Sequence, residues 1–145
     1  MIDNLLCEFW AWLGISRQEY LRRSVSVEFE EYMFPKWSFL INETFHAISR
    51  EDMCIIPSIM EVMALDNESE NVLDYLSENA TSSFLDNIYM RLPECSFHHA
   101  RWQGAELIQR RPTTVGKEIL YCLISDENSY VKKRAQNSYF AILKE

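Results

Sequence analysis

The sequence predicts an all-α protein: eight or nine short helices, joined by brief polar connections and stacked as helical hairpins. The first observation behind this is scarcity of turn formers. Only 3 Gly and 4 Pro occur in 145 residues, whereas a sandwich or barrel needs a turn signal roughly every ten residues. The second is composition, because Leu, Glu, Met, Ala and Arg are abundant and all favour helix. The third is spacing: apolar residues recur at three- and four-residue intervals along most of the chain. With 48% hydrophobic residues, one domain over residues 1–145 with its own core is expected. It divides into a helical N-terminal part, residues 1–65, and helix pairs over residues 66–145.

The elements follow in order. Leu5, Phe9, Trp12 and Leu13 share one face of a first helix, which Gly14 stops. Ser16-Arg17-Gln18-Glu19 is a capping box that opens a second helix to about Val25. VEFEEYMFP reads as a further helical turn up to Pro35. Trp37, Leu40, Ile41, Phe45 and Ile48 line the next helix, and Pro57 starts another. NESENVLDYLSEN carries an Asn67 or Ser69 cap with acids in its first turn, where they complement the helix dipole. SSFLDNIYMRL, SFHHARWQGAELIQR, TTVGKEILYCLI and NSYVKKRAQNSYFAILK complete the series, each opened by Ser, Thr or Asn.

Class and compartment are bounded next. The apolar opening run begins with Asp3 rather than a basic segment and is shorter than the ~20 residues that span a bilayer. A cytoplasmic protein with no membrane contact is expected. Cys7, Cys54, Cys95 and Cys122 form no C-x-x-C pair, so they read as buried free thiols.

Charge is uneven. The formal net charge is -8 overall, with -4 in residues 1–60, -7 in residues 61–95 and +3 in residues 96–145. An acidic middle repels phosphate backbones and attracts cationic protein surfaces. The basic triplet Lys132-Lys133-Arg134 runs against this sign. Consecutive residues fan across about 200° of a helix, so the three cannot share a face, and nucleic-acid binding is not expected.

An internal repeat accounts for the triplet. At an offset of 31 residues, Val131 falls on Ala100, Lys132 on Arg101, Ala135 on Gly104, Ile119 on Ile88 and Leu123 on Leu92. Asp126 falls on Cys95 and Ser138 on Leu107, which are mismatches. Each copy reads as helix, connection, helix, leaving an apolar side for a neighbour to cover. Residues 117–143 resemble a HEAT-type helical repeat, with Asp126, Val131, Lys132, Ala135, Tyr139 and Ile142 at the characteristic places; residues 82–109 resemble a degenerate copy. The resemblance implies an α-solenoid or superhelix, a capping role for Asp126, and pairing of Lys132 with a repeat neighbour.

Motifs of catalysis are missing from the string. Cys95, His98 and His99 have C-x-x-H spacing but lack the further ligands zinc requires. Gly14, Gly104 and Gly116 build no phosphate loop, and no G-x-S-x-G elbow occurs. Neither enzyme activity nor a metal or other cofactor is expected. What remains is binding of another protein. Small size, a single acidic domain and the lack of catalytic motifs give a profile similar to bacterial toxin-immunity proteins, including those against contact-dependent-inhibition or polymorphic nuclease toxins. That profile implies a basic toxin domain as partner, met by Asp66, Glu68, Glu70, Asp74, Glu78 and Asp86. Trp102 is the expected aromatic anchor, with Glu106 beside it on the concave side of the stack. The alternative is a HEAT-like adaptor or regulatory subunit that uses its more basic C-terminal pairs.

Overall fold

The computed structural model describes residues 1–144. It is all-α, with no strand among the described residues. Among the described residues nine helices run in order: α1 Ile2–Leu13, α2 Arg17–Arg23, α3 Trp37–Ser49, α4 Ile56–Leu65, α5 Asn71–Asn79, α6 Ser82–Arg91, α7 His98–Arg110, α8 Thr114–Leu123 and α9 Ser129–Leu143. Single 3-10 turns cover Glu31–Met33 and Met53–Ile55.

Local chemistry sets most boundaries. Gly14 ends α1 in the left-handed region, at φ 80°, and its N–H donates to the Trp10 carbonyl. The hydroxyls of Ser16, Thr81 and Thr113 accept the Glu19, Phe84 and Gly116 N–H groups, and Asn128 accepts both Tyr130 and Val131. Pro57 lies in the first turn of α4, where its missing N–H costs no bond. Glu19 does not complete the capping box; its carboxylate pairs with Arg22 instead.

Several expectations are corrected. Residues 27–30 are not helical, and VEFEEYMFP yields only the short 3-10 turn. Neither Asn67 nor Ser69 caps α5: Glu70 holds the N-cap position at φ 55°, and the buried Asp66 carboxylate accepts the Val72 N–H at 2.9 Å. On α1 the buried face is Ile2, Leu5, Leu6, Phe9 and Trp10, while Trp12 is 40% exposed. Burial follows the longer i, i+3, i+4, i+7 stripe that begins at Ile2. All four cysteines are free, but Cys7, Cys54 and Cys122 are exposed rather than buried. Among the described residues no helix is long and apolar enough to cross a membrane.

The helices pack in a stack consistent with helical hairpins. α3 contacts α1, α4 and α5, α6 lies against α8, and α9 covers both α7 and α8. At the centre is α7, which touches α4, α5, α8 and α9 and buries nine of its thirteen residues. Gly104 makes this possible at one point, because a Cβ there would sit 2.5 Å from both methyls of Leu92.

The Arg101–Asp126 pair joins the connection after α8 to α7. Arg101 Nε and Nη2 donate to the two Asp126 oxygens at 2.9 and 3.1 Å, and Nη1 donates to the Cys95 carbonyl at 2.7 Å. Asp126 accepts the Asn128 N–H, and the cap of α9 is Asn128 itself. Lys132, the residue implied to pair, is exposed without an ion pair among the described residues; the base at the aligned position, Arg101, is the one engaged.

Candidate functional site

The residues expected to form the acidic face have different fates. Asp66 is corrected: it is 2% exposed and committed to its own helix. Burial pushes its carboxyl up to about 6, against the opposing pull of the Val72 and Asn71 N–H groups. Trp102, the expected anchor, is 5% exposed, because Arg134 covers its ring from 4.6 Å and Tyr130 packs edge-on. Asp74 accepts from Arg110 at 2.8 Å, Glu106 pairs with Arg134 at 3.6 Å, and Asp86 accepts the Thr113 hydroxyl at 2.6 Å. Glu68, Glu70 and Glu78 carry no ion pair among the described residues.

A different set of carboxylates is gathered by the fold. The segment after α2, the α4–α5 connection and the first turns of α7 and α9 enclose two adjoining cavities of about 420 and 880 Å³. They share Val25, His98, Asn128 and Ser129, and so form one trough on either side of His98. Glu28, Glu31 and Glu68 line the smaller side; Glu94, Asp126 and Glu127 line the larger. Arg101 is the lone Lys or Arg in either lining, and Asp126 neutralises it. Two further guanidiniums stand behind the aromatic walls, Arg23 at 5.4 Å from Phe29 and Arg134 against Trp102.

Glu31 is the deepest of these acids, 3% exposed. Its Oε2 accepts the Tyr20 hydroxyl at 2.5 Å and the Asn67 amide at 3.4 Å. Burial raises its carboxyl above the usual range, and burial together with Glu31 raises the Tyr20 phenol. The imidazoles add no positive charge near neutral pH. His98 is lowered by burial and by Arg101, and His99 is lowered to about 4 by burial and by His98. Trp102 Nε1 donates to His99 Nδ1 at 2.9 Å, which leaves the His99 proton on Nε2.

The trough is therefore a concave, aromatic-walled acceptor surface. Among the described residues no three His, Cys, Asp or Glu side chains gather as a metal site. The His98 imidazole bonds to the Ser24 backbone, and no serine hydroxyl of the trough bonds to either imidazole among the described residues. The triplet of α9 divides as its spacing predicts: Arg134 folds back on Tyr130 and Glu106, while Lys132 and Lys133 are exposed.

Sequence reasoning did not choose Glu28, Glu31, Glu94 and Glu127 for the site, and it weighed His98 only as a metal ligand. They come from segments far apart in the chain, and no window of sequence holds them together. Compared with protein-family models, curated proteins and solved structures, the chain matches none.

Proposed function

We propose that the chain is an immunity protein, binding a bacterial toxin domain and masking its basic active-site surface with acidic helical surface. The trough carries this reading: Glu28, Glu31, Glu68, Glu94 and Glu127 line it without a cation partner, and its one arginine is already neutralised. A toxin that cuts nucleic acid must hold a polyanion in a cationic cleft. Carboxylates held on a rigid helical frame complement such a cleft, steer its approach and exclude its substrate. Glu70 at the N-cap of α5 and Glu78 within that helix extend the negative field beyond the trough.

The test uses the toxin domain that the chain retains in a pull-down from its native cells. Co-expression is expected to protect cells, and Glu28→Lys/Glu68→Lys/Glu127→Lys is expected to abolish protection while the far-UV spectrum stays helical. Full protection by the reversed variant would sink the acidic-surface reading. The adaptor alternative has its own support, since Tyr121, Phe140 and Leu143 on α8 and α9 are each at least 60% exposed. Tyr121→Ser/Phe140→Ser separates the two, because it disables an adaptor built on that face and leaves the trough intact.

A further inference from the structure

We propose that the smaller cavity of the trough receives one arginine side chain of the protein partner, its guanidinium facing Glu31 and Glu68 among Phe29, Trp102 and Tyr130. This deepens the immunity reading and rests on it in one respect, that the arginine belongs to the partner.

Two observations point to a guanidinium. The first is Glu31, 3% exposed yet lining the cavity, whose carboxylate takes the Tyr20 hydroxyl, the Asn67 amide and its own N–H but pairs with no cation among the described residues. A carboxylate removed from water without a cation is stabilised by a donor-rich cation entering from the open side. The second is Arg134, which shows how this aromatic corner already holds one guanidinium from behind. Its carbon sits 4.6 Å from the Trp102 ring and 5.7 Å from Tyr130; Nη1 donates to the Tyr130 hydroxyl at 2.8 Å, and Glu106 lies at 3.6 Å.

The cavity side repeats these ingredients with no cation of the chain in its lining. Phe29 and the exposed Tyr130 supply rings, Glu31 and Glu68 supply carboxylates, and about 420 Å³ is room for a side chain with its stem. Arginine suits it better than lysine, because its planar head is weakly hydrated, stacks on rings and offers five donors in a fixed fork. A bare metal ion is a poor fit, since no metal-ligand cluster forms among the described residues.

The experiment titrates the full chain with N-acetyl-arginine methylamide and, separately, with the uncharged citrulline analogue, following assigned ¹H–¹⁵N signals. The arginine probe is expected to shift the Trp102 indole and the Phe29, Glu68 and Tyr130 amides at millimolar concentration, and the citrulline probe to leave them in place. Glu68→Gln, at an exposed site, is expected to weaken the response about two- to fivefold. Glu31→Gln is expected to weaken it about tenfold, with the remaining amide spectrum reporting that the fold is intact. Glu78→Gln is expected to change nothing. A response absent from these signals, or equal for the two probes, overturns the pocket. Loss of protection on charge reversal with a silent arginine probe keeps the immunity reading and overturns the pocket. An arginine-specific response with protection unchanged by reversal does the opposite.

Discussion

At the scale of single residues, buried charge decides more than exposed charge. Asp66 sits near 6 in the folded chain, raised by burial, and near its ordinary 4 in the unfolded chain. Between those values the unfolded chain releases a proton that the folded chain keeps. This contribution to stability is therefore complete below about pH 4, declines as pH rises to about 6, and is level above. Asp66→Asn removes it, so the stability of the variant minus that of the parent should grow by about 1–3 kcal/mol from pH 4 to pH 7. Urea unfolding at both pH values measures this, and an unchanged difference would refute the shift. The Arg101–Asp126 pair behaves oppositely, because each partner is only 9% exposed and each satisfies the other. Arg101→Met should cost about 3–5 kcal/mol by stranding the carboxylate, and Arg101→Met/Asp126→Asn should recover part of that loss. Urea midpoints of the parent, single and double variants check it.

At the scale of helices, close approach is the controlling term. Gly104→Ala gains helix propensity but places a methyl 2.5 Å from the Leu92 branch, inside any real contact. Crowding should win by about 1–2 kcal/mol in denaturant midpoint, and Leu92→Ala in the same chain should be less costly than in the parent. Additive losses would show that α7 and Leu92 do not compete for this space. The helices themselves were legible because caps and spacing are local: Ser16, Thr81, Thr113 and Asn128 each bond within three residues. The cap of α5 was not, since Asp66 reaches six residues ahead across a connection that only tertiary packing shapes. The cover over Trp102 was not legible for the same reason, because it comes from Arg134 on another helix. Of the trough, Glu68 and Trp102 were chosen in advance; Glu28, Glu94 and Glu127 need the packing of α2, α7 and α9 to meet.

At the scale of the whole molecule, one core cluster runs from Ile2 to Ala135 without a break into separate units. A stack of independent repeats would melt piecemeal; this chain should instead unfold in a single transition. Tryptophan emission reports Trp10 and Trp12 on α1, Trp37 on α3 and Trp102 on α7, and far-UV circular dichroism reports all helices. The two urea curves should coincide, and separated midpoints would reveal a subdomain. The trough has a thermodynamic consequence of its own. Its carboxylates converge only when the chain is folded, so a partner seated there binds the native state alone. Such linkage adds about 2.7 kcal/mol of stability at a hundredfold excess of partner over Kd. Capture and folding then draw on the same free energy: a partner bound in the trough would hold this chain in shape, and a packing defect at Gly104, two residues along α7 from Trp102, would loosen that grip.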